Sequence, residues 1–279
     1  MSITIPTSVG ETYVAEAGSG RPILVLHGGL GLDHGYLRPT FDALAASHRV
    51  VYLDFVGNGR SDRALDYAAI HDNTIWVRQV DEVIEAMGLE NPVILGHSYG
   101  GYVALEYALT PSGAGRPMIL VSTAPKLDHT DVVAENAARR GTPEQVDAVR
   151  VRLARAQADD DEWADLWRTL LPLYFHAPTA ELVARASEGT HFSAEAFNTA
   201  HLRALRAYDV SGRLGEITGD TLVVSGDDDW ILPLELCSQR LAAGIPGAAL
   251  AVLPECGHFP FIERPEPFLT VVRDWLERH

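Results

Sequence analysis

Short apolar runs, separated by polar and glycine-bearing loops, recur along the chain. They are Ile23–Leu26, Val50–Leu53, Val93–Leu95, Met118–Val121, Leu222–Val224 and Ala249–Leu253. Runs of this length predict strands buried on both faces of a parallel sheet. Between them, apolar positions return at helical spacing over 36–46, 73–87, 99–109, 233–243 and 265–277. Ahead of them, Ile3–Pro6, a turn at Gly10 and the alternating Glu11–Glu16 predict a hairpin. Strand–helix alternation predicts a doubly wound α/β sheet.

One interval breaks the rhythm. About a hundred residues separate Val121 from Thr221, where a crossover needs only about a dozen. The surplus is rich in Ala, Arg, Asp and Glu, with helical spacing over 130–157, 160–174, 179–188 and 193–207. It predicts an all-helical insertion, so that 1–124 and 209–279 form the core and 125–208 a helical cap.

Composition narrows the function classes. With 22 Lys+Arg against 38 Asp+Glu the formal net charge is −16. That balance argues against nucleic acid, which needs dense positive charge, and against a basic membrane-surface role. The 279 residues are 47 % hydrophobic and 22 % charged, a globular composition. No apolar stretch reaches the ~18 residues a membrane helix needs, and the N-terminus has no signal-peptide pattern. Cys237 and Cys256 form neither a disulfide framework nor, with the histidines, a metal-ligand pattern. A protein of the cytoplasm, without metal or other cofactor, is expected. Its oligomeric state is not legible.

The candidate chemistry sits at strand ends. Gly96-His97-Ser98-Tyr99-Gly100-Gly101 follows one predicted strand and opens a predicted helix. That is the context G-x-S-x-G requires for an exposed nucleophile on a sharp turn; a plain Gly-Ser turn is the bland alternative. A serine hydroxyl needs a base, and His258 lies just after the last strand. The orienting acid belongs after Leu222–Val224, where Asp227, Asp228 and Asp229 stand together. The spacing from Gly226 to Pro233 selects Asp229, with Asp228 as the alternative. The loop His27-Gly28-Gly29-Leu30-Gly31 predicts an oxyanion hole from the backbone N–H groups of Gly29 and Tyr99. His27 and His97 read as structural. Trp163, Trp167, Trp230 and Phe259 are candidate substrate-binding residues.

Four segments carry a resemblance: Leu26–Pro39 (LHGGLGLDHGYLRP), Val50–Arg63 (VVYLDFVGNGRSDR), Gly96–Leu109 (GHSYGGYVALEYAL) and Gly257–Phe268 (GHFPFIERPEPF). Together they resemble the α/β-hydrolases and, among them, the proline iminopeptidases. Leu30 stands where that subgroup's loop has Pro, and Asp54-Phe55-Val56-Gly57 replaces its D-Q-R-G. The resemblance implies an α/β-hydrolase fold, a mostly parallel sheet flanked by helices with an all-helical cap. It also implies a serine hydrolase acting through an acyl-enzyme on a small-molecule or short-peptide substrate, foremost an aminopeptidase releasing a small N-terminal residue. Cap carboxylates would bind the free amine, with Asp161, Glu162, Asp165, Glu181, Glu188 and Glu195 available; the bland alternative, weighed the heavier for any one residue, is an acidic first helix turn complementing its dipole and an apolar stripe packing on the core. A carboxylesterase or lactonase is the alternative, and a non-catalytic small-molecule receptor a remote one. A dinucleotide oxidoreductase is disfavoured, because the first strand–helix turn lacks G-x-G-x-x-G.

Overall fold

The computed structural model describes residues 1–29 and 31–279; Leu30, noted above in the glycine loop, lies outside the described residues. Its centre is an eight-stranded sheet. The strands are β1 (Ser2–Thr7), β2 (Gly10–Ala17), β3 (Pro22–Leu26), β4 (Arg49–Leu53), β5 (Val93–His97), β6 (Met118–Val121), β7 (Thr221–Gly226) and β8 (Ala249–Leu253). Their order is β1-β2-β4-β3-β5-β6-β7-β8. The hairpin strand β2 runs antiparallel to β1 and β4, and the pairs from β4 onward are parallel.

The apolar runs fold as strands because they feed two cores at once. Ile23, Val25, Val50, Tyr52, Val93, Leu95, Ile119 and Val121 face one side, with Phe41, Phe268 and Trp275 from helices above it. Leu24, Leu26, Val51, Leu53, Ile94 and Leu120 face the other, against Trp76, Val80, Val103 and Leu241. The last run departs from the expected double burial. β8 is the sheet's edge strand, and Leu250 and Val252 are 37 % and 39 % exposed.

Helices Thr74–Ala86, Tyr99–Ala108 and Pro265–Leu276 fall within a residue or so of their expected ranges. Two others are shorter. The 36–46 segment is helical only over Arg38–Phe41 before tightening to a 3₁₀ turn, Asp42–Ala46. The 233–243 segment becomes helical only at Ser238–Gly244.

Between β6 and β7 the chain is helical. Thr130–Arg140, Pro143–Asp147, Asp160–Leu170, Ala180–Arg185 and Ala194–Thr199 are α-helices. Ala148–Arg152 and Ala200–Ala204 are π-helical turns. The insertion leaves and rejoins the core across one narrow neck. There Lys126 and Asp209 form an isolated bridge and a 2.8 Å ion pair, and Val210 N–H donates to the Pro125 carbonyl at 3.0 Å.

Register aligns the strands' C-terminal ends: Leu26 pairs with Gly96, His97 with Val121, Val121 with Val224 and Gly226 with Leu253. The loops carrying Gly29, Ser98, Asp229 and His258 therefore leave the same edge, where open α/β sheets bind ligands.

Candidate active site

Ser98 joins β5 to the helix Tyr99–Ala108 with φ 52° and ψ −115°, a strained conformation for a residue with a Cβ. Neighbouring contacts enforce it. The Ser98 N–H donates to the Val121 carbonyl at 2.9 Å, and its own carbonyl accepts from Thr123 Oγ1 at 2.8 Å. A side chain at Gly100 would run into the Leu26 backbone, so the helix packs this close to the sheet only with glycine there. Ser98 is partly exposed and lines a cavity.

His258 and Asp229 are almost wholly buried, 2 % and 4 % exposed. His258 Nδ1 and Asp229 Oδ2 are 2.6 Å apart. The other carboxyl oxygen of Asp229 accepts from the Ile231 and Leu232 backbone N–H groups, both at 3.1 Å. With its acceptor sites engaged in this way, Asp229 fixes the proton on His258 Nδ1 and leaves Nε2 as the basic nitrogen. Its neighbours are used elsewhere. Asp227 accepts from the Cys256 N–H at 3.3 Å, and Asp228 pairs with Arg140 at 2.7 Å and His176 at 2.9 Å.

The glycine loop is held by a relay that sequence reasoning did not anticipate. The Gly28 N–H donates to Tyr36 Oη at 2.8 Å, and Tyr36 O–H donates to His97 Nδ1 at 2.7 Å. His97 Nε2–H in turn donates to the His258 carbonyl at 3.2 Å. Burial, and then the neighbouring His258, push the His97 imidazole well below its ordinary range. It stays neutral, as the relay requires. Tyr36 lies eight residues from Gly28 with no local motif to mark it. His27 has the structural place expected of it: Nδ1–H donates to the Gly28 carbonyl at 2.8 Å and Nε2 accepts from Phe55 N–H at 3.1 Å. The Gly29 and Tyr99 N–H groups make no hydrogen bond among the described residues.

The insertion grips the loops that carry Gly31 and His258. The Gly31 carbonyl accepts from Ser193 N–H at 2.9 Å and Trp163 Nε1–H at 3.1 Å. The Tyr174 carbonyl accepts from His258 N–H at 2.7 Å. Glu263 ties the loop before His258 to the insertion, accepting from Gly257 N–H at 2.6 Å and His176 N–H at 2.9 Å.

Between core and insertion lies a cavity of about 830 Å³, within the usual size range of small-molecule sites. Ser98, Tyr99, Gly29 and His258 line it together with Trp163, Trp167 and Phe259. Trp230 does not. The turn closed by Asp229 puts Ile231 and Leu232 in the wall, and Trp230 points inward, edge-on to Tyr174 at 5.5 Å. The acidic amine pocket that the resemblance implies does not form either, and the bland alternative holds. Asp161, Glu162, Asp165, Glu181, Glu188 and Glu195 all lie outside the lining. In Asp160–Leu170 the apolar face, with Trp163, Leu166 and Trp167, turns inward, as amphipathic helices do. Glu162 and Asp165 turn outward and pair with Arg155 and Arg152.

The sequence signature of the alpha/beta hydrolase fold spans residues 21–265. The chain belongs to the alpha/beta hydrolase family. Among its relatives, this hydrolase is 32 % identical to a putative carbamate hydrolase of Variovorax paradoxus, over 91 % of each chain. It is 28 % identical to a proline iminopeptidase of Pestalotiopsis fici, over 92 % of each. An esterase from Exiguobacterium antarcticum superimposes with a TM-score of 0.77 at 23 % identity, covering 99 % of this chain and all of that one. In an α/β-hydrolase the loops at the strands' C-terminal edge carry the chemistry. No helix among the described residues is long and apolar enough to cross a membrane.

Proposed function

We propose that the protein is a serine hydrolase of small acyl esters or lactones, acting through an acyl-enzyme. The observation that carries this reading is the buried 2.6 Å His258–Asp229 pair, at the edge where the strained Ser98 enters the same cavity. Ser98 Oγ attacks the acyl carbonyl while His258 Nε2 takes its proton. The Gly29 and Tyr99 N–H groups stabilise the oxyanion. Collapse expels the alcohol, which receives the proton from His258. Water, deprotonated by the same imidazole, then releases the acid. Trp163, Trp167 and Phe259 wall the acyl group.

The lining favours esters over N-terminal peptides. Among the described residues its one carboxylate is Asp209, and that group is engaged by Lys126 and Ser211. The Lys126 hydrogen bond, with those from Ser211, draws the Asp209 carboxyl down to about 2. A second reading, an aminopeptidase, is favoured by the Pestalotiopsis fici relative's likeness over nearly the whole chain. The buried free cysteines Cys237 and Cys256 suit the reducing cytoplasm.

The test is a rate panel of wild type and Ser98→Ala on short p-nitrophenyl esters, prolyl and alanyl arylamides, and their N-acetylated forms. Ester turnover that disappears in Ser98→Ala is expected. Rapid cleavage of the free-amine prolyl arylamide, lost on acetylation, would replace the ester reading with the aminopeptidase one.

A further inference from the structure

The cavity's charge runs against that of the chain. The whole protein carries a formal −16. Yet the Lys, Arg, Asp and Glu residues in the lining are Lys126, Arg150, Arg206 and Asp209. Lys126, the chain's single lysine, and Asp209 cancel in their ion pair. Two guanidinium groups are left over.

Neither Arg150 nor Arg206 makes an ion pair or a side-chain hydrogen bond among the described residues, whereas arginines close to them in sequence are engaged. Arg152 pairs with Asp165 at 2.8 Å, Arg155 with Glu162 at 2.5 Å, and Arg203 donates to the Tyr67 carbonyl at 2.6 Å. On each of the two segments, then, at least one arginine is engaged and another lines the cavity.

Each segment contains a π turn. Arg150 lies within Ala148–Arg152, and Arg206 follows Ala200–Ala204. Single π turns occur disproportionately at functional sites. The segments also meet: His201 Nε2–H donates to the Leu153 carbonyl at 2.9 Å. Burial lowers the His201 imidazole, and Arg206 adds to this against the opposing Leu153 bond, so the ring adds no charge of its own.

A third donor points the same way. Trp167 lines the cavity, is 4 % exposed, and its indole N–H has no partner among the described residues. Arg150, Arg206 and Trp167 all donate, and the described residues of the lining include no unpaired carboxylate to meet them. A ligand that satisfies this wall must bring acceptors, and guanidinium forks suit a carboxylate in particular.

We propose that Arg150 and Arg206 form an anion subsite at the cavity's exposed side, so that the preferred substrate is an ester whose acyl chain ends in a carboxylate. The proposal rests on the serine-hydrolase reading for the ester. It rests on the arginines alone for the anion. The scissile carbonyl sits at Ser98, the chain crosses the apolar wall of Val149, Leu153 and Leu205, and the carboxylate reaches the guanidiniums.

The test pairs p-nitrophenyl monoesters of adipic, pimelic and suberic acid with p-nitrophenyl esters of neutral alkanoic acids of equal length. At one length or more, wild type is expected to favour the carboxylate about tenfold in kcat/KM, a typical yield of one charge-assisted contact. The preference is expected to shrink as salt is raised. In the double variant Arg150→Gln with Arg206→Gln the ratio is expected to fall to about one. The double variant to Lys, which keeps the charge, should restore part of it. A wild-type ratio at or below one for every length overturns the proposal, as does a ratio the Gln variant leaves intact. Calorimetric binding of suberate gives a readout independent of turnover. If no ester is hydrolysed, the hydrolase reading fails. Suberate bound by wild type and Ser98→Ala but not by the double Gln variant would still uphold the subsite.

Discussion

At the floor of the cavity, Tyr36, His97, His258 and Asp229 hydrogen-bond to one another or to backbone, and all four are nearly solvent-free. In the roof, Arg150, Arg206 and the Trp167 indole have no such partners among the described residues, and Val151 in the first π turn is 54 % exposed. The floor is built from strand-end loops locked by sheet register. The roof is built from short helices with irregular turns. Stabilising a developing charge rewards donors fixed before the reaction begins. Choosing among acyl chains calls instead for groups whose bonds are still to be made. The two regions divide the proposed reaction accordingly, chemistry below and selection above.

That contrast can be broken from the floor with the largest effects. Ser98→Ala should fold normally and lose roughly 10⁴- to 10⁶-fold in kcat, with circular dichroism and melting temperature close to wild type. Asp229→Asn keeps the shape but favours the wrong tautomer of His258, and should lower kcat about 10⁴-fold. Activity near wild type in either variant would sink the triad.

Tyr36→Phe tests whether the relay matters. It leaves the Gly28 N–H and His97 Nδ1 buried and unpaired, at a stability loss of about 1–3 kcal/mol, readable as a lower urea midpoint. A fall in kcat with little change in KM would show that the relay positions the glycine loop; an unchanged kcat would make it purely structural.

A smaller effect sharpens the comparison beneath the helix that follows Ser98. Tyr99 O–H donates to Asn73 Oδ1 at 2.5 Å, and Asn73 Nδ2–H donates to Glu106 at 2.6 Å. Burial raises the Glu106 carboxyl to about 7 despite the Asn73 hydrogen bond. A carboxyl raised on folding favours the native state below its unfolded pKa, and that contribution is lost as pH rises through the folded value. Wild type should therefore lose stability between about pH 4.5 and about pH 7. Glu106→Gln should flatten that decline, so its melting temperature gains on wild type as pH rises. Parallel curves for the two proteins would remove Glu106 as the cause.

The sequence made the floor far more legible than the roof. Ile23–Leu26 and Val93–Leu95 are recognisable because a strand buried on both faces must be apolar throughout, and Gly96 to Gly101 because a strained elbow needs glycine around it. Ala249–Leu253 carried the same apolar signal yet lies at the edge, since strand order is set by pairing partners far along the chain. In the roof the helices were foreseeable from their spacing, but their orientation was not. The acidic face of Asp160–Leu170 turned to solvent, and the π turns that bring Arg150 and Arg206 to the cavity leave no mark in periodicity. Trp230 was misplaced for a related reason: which of three consecutive residues faces a cavity depends on a turn's hydrogen bonds.

The neck at Lys126 and Asp209 has a consequence for how such a protein can change. Because the roof departs and returns at adjacent backbone positions, a different roof can in principle be transplanted without disturbing the sheet, as domain insertions are at such sites. The contacts to Gly31 and His258 set the terms of the exchange. A donor segment that matched only the neck would bring a new preference and loosen both loops. One that also supplied carbonyl and N–H partners in place of Tyr174, Ser193 and Trp163 would bring the preference and keep the rate. Chimeras built both ways would measure how far selection and chemistry have been inherited as separate parts.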